Sequence, residues 1–173
     1  VPALTINKVC GSGMKAVMLG AQSILLGESE VVVAGGMESM SNAPYLLPTA
    51  RAGMRMGHQQ AIDSMIHDGL WDPYANQHMG NCGDLCAREK NFSRTEQDDF
   101  AAESFRRAQQ AQKNGWFKAE IAPVTLASKK GDTVVDTDEG PAKVNFEKIP
   151  GLKPVFSKDG SVTAANASSI NDG

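Results

Sequence analysis

Residues 3–34 carry the pattern that most restricts the fold. Ala3 to Val9 alternates weakly and predicts a short strand. Cys10-Gly11-Ser12-Gly13 predicts a turn. From about Met14 to Leu26, the residues Met14, Val17, Met18, Ala21, Ile24 and Leu25 recur at spacings of three and four, which predicts a helix with one buried stripe. Gly27 ends it. Val31-Val32-Val33-Ala34 reads as a buried strand running into Gly35-Gly36. Strand, turn, helix and strand in that order form a βαβ unit, the building block of a mostly parallel sheet. Such a sheet needs more strands than this, and the chain does not continue the alternation.

Met37 to Met56 is rich in Met, Ser, Pro and Gly and predicts an irregular excursion with adaptable apolar side chains. A helical region should follow. His58 to His67 reads as a short amphipathic helix through Ile62, Met65 and Ile66, and residues 78–90 read as another. Ser93-Arg94-Thr95-Glu96 is a capping box that should open a long helix to about Lys113, closed by Asn114-Gly115. Ile121 to Ala127 and Thr133 to Asp136 are short strand candidates around a hairpin-like turn, Lys129-Lys130-Gly131-Asp132. Leu152 to Phe156 and Val162 to Ala167 are the last extended pieces. Residues 1–40 therefore predict part of a layered α/β core, residues 41–160 an α+β insertion, and residues 161–173 a return strand.

Composition removes several function classes. Apolar residues make up 41% of the 173 and charged residues 21%, a globular balance. No run of 18 apolar residues exists to cross a membrane as a helix. A net charge of −3 does not favour a nucleic-acid surface. Cys10, Cys82 and Cys86 are an odd set, which favours a reducing, cytoplasmic setting over a disulfide framework. The chain opens on Val1, stops at Asn171-Asp172-Gly173 and has no aromatic before Tyr45, so a segment of a longer protein is expected.

Cys10 is the sharpest chemical feature. It stands where a strand meets a helix, and a helix N-terminus offers unpaired N–H groups and partial positive charge. Those favour a thiolate nucleophile and can hold a carbonyl oxyanion. The plain alternative is a small residue packed at a helix start. Gly11-Ser12-Gly13-Met14-Lys15-Ala16 also fits a dinucleotide-type glycine turn, with Glu38 as the acid. That acid lies 27 positions after Gly11, where the fingerprint places it about 20 on, and further βαβ units are missing. His78, Cys82 and Cys86 lie along one helical stripe whose ends are roughly 12 Å apart at 1.5 Å per residue. One ion cannot easily bind all three, and a buried face with small cysteines is the better reading. Charges on the 94–113 helix (Arg94, Glu96, Asp98, Asp99, Glu103, Arg106, Arg107 and Lys113) read mostly as a solvated face, acids early and bases late. The later lysines, Lys143 and Lys148 among them, are either scattered surface charges or a site for a phosphorylated ligand.

Taken together, these motifs resemble the thiolases. The resemblance rests on Asn7-Lys8-Val9-Cys10-Gly11-Ser12-Gly13, Val33-Ala34-Gly35-Gly36-Met37-Glu38-Ser39-Met40-Ser41, Asp68-Gly69-Leu70 and His78-Met79-Gly80. It continues through Ser93-Arg94 with Glu96-Gln97-Asp98, Glu120-Ile121-Ala122-Pro123-Val124, Thr163-Ala164-Ala165-Asn166-Ala167-Ser168 and Asn171-Asp172-Gly173, in the family's order. It implies an α/β thiolase fold of α/β/α/β/α layers, of which this chain is the end of the N-terminal half plus most of the α+β loop domain. It also implies an acyltransferase that condenses two acetyl-CoA to acetoacetyl-CoA and CoA, and runs the reverse thiolysis, through an acyl-cysteine at Cys10.

Leu70, His78, Met79, Phe156, Ala164 and Ser168 match positions that line the coenzyme A site, and Lys143 and Lys148 fall near its basic positions. No cofactor is implied beyond the CoA thioester substrate, no metal, no nucleic acid and no membrane. Tetramers are implied for the full-length enzyme. The family's activating His and second Cys have no match in this chain, so the segment alone should be inactive. His78-Met79 points to the short-chain branch; a broader-chain 3-ketoacyl-CoA thiolase and a non-catalytic interaction module are the competing readings. Asn81-Cys82-Gly83-Asp84-Leu85-Cys86 departs from a more usual Thr/Ser-Ala-Glu-Asn-containing stretch, Ser169 replaces a common Gly, and Phe105 stands where potassium-activated relatives carry a Tyr.

Overall fold

The structure, a computed structural model, describes residues 2–173. The chain divides into two units. One contains the residues up to Met79 together with Ser169–Gly173, and the other is Gly80–Ser168.

In the first unit a 3-10 turn, Val9–Gly11, leads into α1 (Ser12–Leu25). The helix stops on a Schellman motif: Gly27 N–H donates to the Ile24 carbonyl and Glu28 N–H to the Ser23 carbonyl, each at 3.0 Å. This closure needs φ = 74° at residue 27, which glycine adopts without penalty. Gly20 is the buried residue of α1, and Val32 Cγ1 lies 3.0 Å from where a Cβ would sit there.

Two expectations for this region fail. The segments 3–9 and 31–34 are not strands, and the described residues contain no parallel ladder. A strand exists only against a hydrogen-bonding neighbour, and the described residues supply none for these segments. The apolar stripe of α1 is exposed: Met14, Val17, Met18, Ala21, Ile24 and Leu25 all face outward, because no described element packs over them.

The predicted helix over His58–His67 is also absent. Its residues split between a short ladder and a π-helical turn. β1 (Tyr45–Leu46) pairs antiparallel with β2 (Ile62–Asp63), Tyr45 opposite Asp63. Asp63 Oδ1 then accepts from Met65 N–H at 2.9 Å, and the π-helical turn Met65–Leu70 follows. β3 (Trp71–Asp72) and β4 (Gln77–His78) form a second antiparallel pair. At the far end of the unit, Gly173 N–H donates to the Glu38 carbonyl at 2.9 Å and accepts from Glu38 N–H in return, while Asp172 Oδ1 accepts from Ser41 N–H at 2.8 Å.

The second unit holds α2 (Met79–Glu89), α3 (Arg94–Lys113) and the hairpin β5 (Val124–Leu126) and β6 (Thr133–Val135). α2 closes on Asn91 at φ = 58°, with Phe92 N–H donating to Ala87 O at 2.8 Å. The capping box of α3 forms as its sequence requires: Ser93 N–H donates to Glu96 Oε2 at 2.8 Å and Glu96 N–H to Ser93 Oγ at 3.2 Å. Gly115 ends the helix at φ = 71°, with Trp116 N–H on the Ala111 carbonyl. The apolar core here is small, built from Ala87, Ala101, Ala102, Ala111 and Ile149. Buried Asp84, Asp98 and Thr163 share it. Leu152–Phe156 and Val162–Ala167 form no ladder; Val155 N–H donates to Val162 O at 3.0 Å between them. Side-chain hydrogen bonds hold this stretch instead.

Candidate active site

In the first unit Cys10 is an exposed, free thiol in the turn that feeds α1. Two side chains shape that turn. Asn7 Oδ1 accepts from Val9 N–H at 2.9 Å. Ser12 Oγ accepts from Lys8 N–H at 2.8 Å and donates to the Val9 carbonyl at 2.7 Å. Val9 itself sits at φ = 48°, a left-handed backbone that costs a β-branched residue energy. The Ser12 hydroxyl therefore staples a strained peptide immediately before the thiol. α1 starts two residues after Cys10, which puts the positive end of the helix beside the same turn.

The β3–β4 hairpin gathers three of the residues implied by the resemblance. Trp71 faces His78, so Leu70, just before Trp71, and Met79, just after His78, flank that pair at one end of the ribbon. The connection is built by polar side chains: Asp72 Oδ1 accepts from Tyr74 N–H at 2.9 Å, Trp71 Nε1 donates to Asn76 Oδ1 at 3.3 Å, and Asn76 takes φ = 52°. Leu70 and His78 are half-buried and Met79 is exposed.

In the second unit Phe156 is half-buried, with its ring against the backbone of Gly80. Ala164 is exposed at the tip of a turn made by its neighbours. Thr163 Oγ1 accepts from the N–H groups of Ala165 (3.2 Å) and Asn166 (3.3 Å), and Asn166 Oδ1 accepts from Thr163 N–H at 2.7 Å. Ser168 follows, exposed. Lys143, in the 3-10 turn Pro141–Lys143, pairs with Glu139 at 2.6 Å, and Lys148 is exposed in the next such turn.

The residues that sequence reasoning passed over are the ones that hold this stretch in place. Asp84, 6% exposed, accepts from Ser157 Oγ (2.5 Å), Ser161 N–H (2.8 Å) and Val162 N–H (2.9 Å). Burial pushes its carboxyl up, but the Ser157 hydroxyl, the Val162 and Ser161 amides and the Arg88 charge outweigh that and hold it below the ordinary value. Asp98 accepts from Arg94 Nε at 2.8 Å and Asn166 Nδ2 at 3.0 Å. Arg94 Nη2 donates to the carbonyls of Ile149 (3.1 Å) and Leu152 (2.9 Å). Arg94 and Asp98 thus leave the solvated face assigned to them. Their i, i+4 spacing was the available signal; its inward direction was not.

Among the described residues no three His, Cys, Asp or Glu side chains are grouped to hold a metal ion. Nor is any helix among the described residues long and apolar enough to cross a membrane. A groove of about 550 Å³ opens in the second unit, lined by Cys86, Phe92, Gln97, Phe100, Val162 and Asn166 among others. None of the residues that the resemblance matches to the CoA site lines it.

Across residues 1–173 the sequence matches the thiolase N-terminal domain family, and the chain belongs to the thiolases. It is 54% identical to an acetyl-CoA acetyltransferase of Yarrowia lipolytica over 173 residues, all of this chain and 43% of that protein. It is 54% identical to an acetyl-CoA acetyltransferase of Pseudomonas aeruginosa, covering 44% of it. A probable acetyl-CoA acyltransferase of Staphylococcus aureus is 51% identical, again with 44% covered. The chain spans less than half the length of the curated relatives it matches. Membership assigns the α/β thiolase fold, with this chain as a fragment of it.

Proposed function

We propose that the protein carrying this segment is an acetyl-CoA acetyltransferase with Cys10 as its acyl acceptor. One observation carries the reading: a free, exposed thiol on a stapled turn at the start of α1, in a chain of the family whose relatives bear that name. Cys10 Sγ attacks the thioester carbonyl of one acetyl-CoA. The C–S bond to CoA breaks, and CoA leaves as its thiol after taking a proton. A second acetyl-CoA loses an α-proton, its carbon attacks the acyl-cysteine, and Cys10 is released as thiolate. In thiolysis the steps reverse. The groups that move those protons belong, by the resemblance, to parts of the protein outside this chain.

On the resemblance, we propose CoA-contacting roles for Leu70, His78, Met79, Phe156, Ala164 and Ser168. Lys143 and Lys148 are proposed for the CoA phosphates; the Glu139 pair at Lys143 competes with that role. Residues 1–40 serve as core, 41–160 as the CoA-binding and tetramer-forming loop domain, and 161–173 as the return. An odd set of three cysteines fits a reducing, cytoplasmic setting.

The test is peptide mapping after limited iodoacetamide treatment of the full-length protein, with and without acetyl-CoA. Cys10 should label before Cys82 and Cys86 and be protected by acetyl-CoA. Prior labelling of Cys82 or Cys86 sinks the assignment. The 173-residue chain alone should not turn over acetoacetyl-CoA.

A further inference from the structure

Phe156 and Ala164 are separated by a loop with little apolar packing of its own, yet its shape is closely specified. Gly160 N–H donates to Ser157 O at 3.0 Å, and Val155 N–H to Val162 O at 3.0 Å, closing the loop on itself. Asp84 ties the loop to α2, while Ser161 Oγ donates to Gln97 Oε1 on α3 at 3.1 Å. Asp84 lies four residues after Gly80 on α2, and both its oxygens are engaged: Oδ2 by the Ser157 hydroxyl, Oδ1 by the amides of Ser161 and Val162. The fit is close on both sides. A side chain at Gly160 would run into Asp84 Oδ2, and one at Gly80 into the Phe156 ring. On the far side Thr163, fully buried, connects the loop to the turn that exposes Ala164.

We infer that Asp84 is a positioning residue for acyl-CoA: its carboxylate fixes the 157–162 loop and, through it, the presentation of Phe156 and Ala164 to the CoA moiety. The inference rests on the thiolase reading of those two positions. Nothing about Asp84 brings it to the reacting carbonyl. It acts on the part of the substrate that is held, not on the bond that breaks. A carboxylate suits the task because it accepts only, and the loop offers three donors. A carboxamide of the same size presents an NH₂ where an acceptor is needed and leaves a donor facing a donor.

The experiment compares Asp84→Asn and Ser157→Ala with wild type in the full-length protein, using two thioesters in thiolysis. Acetoacetyl-CoA carries the whole CoA moiety; acetoacetyl-N-acetylcysteamine keeps the reacting end and lacks most of the rest. In Asp84→Asn, KM for acetoacetyl-CoA should rise about tenfold with kcat nearly unchanged, while turnover of the short thioester and the alkylation rate of Cys10 stay at wild-type values. Ser157→Ala, which removes one bond of three, should shift the same KM in the same direction by a smaller factor. It decides the question if Asp84→Asn does not fold. Parallel losses on both thioesters would reduce Asp84 to a general structural part and overturn the inference, as would an unchanged KM for acetoacetyl-CoA. A wild-type protein that turns over neither thioester overturns the thiolase reading instead.

Discussion

The ring of Phe156 occupies the space in which residue 80 would carry a Cβ; three ring carbons lie closer than 3.0 Å to that position. Gly80 stands in the first turn of α2, so its missing side chain allows the aromatic ring to rest directly on helix backbone.

Gly80→Ala sets two effects against each other. Alanine favours a helix over glycine by about 1 kcal/mol. Forcing an atom into the ring's place costs about 1–3 kcal/mol. Overpacking should win, lowering the urea midpoint and raising KM for acetoacetyl-CoA. In a Phe156→Ala background the penalty should vanish or reverse. A Gly80→Ala penalty that persists without the ring would show that the contact is not its cause.

Arg94→Lys should also be costly. One guanidinium serves Asp98 through Nε and two carbonyls through Nη2, a fork that an ammonium cannot reproduce. Asp98 is nearly buried, so its lost partner is not fully replaced by water. The expected loss is roughly 1–3 kcal/mol in urea unfolding. A lysine variant of wild-type stability would reject the fork as a structural element.

Acid should weaken the protein in a defined way. Asp84, Glu96, Glu103 and Asp172 all sit below their ordinary values: Glu96 through the Ser93 hydroxyl, Glu103 through the Arg107 side chain, Asp172 through the Ser41 amide and Asp84 as described above. A depressed carboxyl contributes stability that is present above its unfolded pKa and disappears as pH falls through its folded value. For Asp84 the loss therefore belongs below the ordinary 3.8. The Tm deficit of Asp84→Asn should be largest near neutrality and shrink in acid below 3.8, as the carboxylate takes up its proton. A deficit equal at neutrality and in such acid contradicts the linkage.

Ser12→Ala removes the hydroxyl's bonds to the Lys8 N–H and the Val9 carbonyl, each of about 0.5–1.5 kcal/mol. On the proposed assignment of Cys10 it should lower kcat for acetyl transfer roughly tenfold, with KM little changed, because the change falls on that residue's turn. Val9→Gly tests the same turn from the other side. Glycine accepts the left-handed backbone at φ = 48° without strain, so this variant should keep kcat within about twofold. If Val9→Gly is as damaging as Ser12→Ala, the turn is not held by the hydroxyl.

The helices were legible because their signals are local. The Ser93–Glu96 box, the spacing of α1 and the stops at Gly27 and Gly115 each lie within a few residues of what they decide. The 124–135 hairpin was legible for the same reason, through Lys129-Lys130-Gly131-Asp132. Strand status at 3–9 and 31–34 was not, since it depends on neighbours that local pattern cannot supply. The His58–His67 stretch has a helical rhythm, yet Ile62 pairs with Leu46 in a two-residue ladder too short to leave a periodic trace. At the candidate site, Cys10 stood out in the sequence through its glycines. Asp84 did not: its partners lie 73 to 78 positions away, and a single aspartate among small residues on a helix carries no mark of what will meet it.

The reciprocal backbone bonds between Glu38 and Gly173 bracket most of the chain. They bind the two ends of a long excursion to each other, so everything between them begins and finishes at one place. For such a closed loop the entropy of closure grows only with the logarithm of its length, about 0.6 kcal/mol for each doubling. Residues added to or removed from the excursion therefore change the cost of bringing Glu38 to Gly173 very little. The length of the intervening segment is thus nearly neutral to the clasp beneath it.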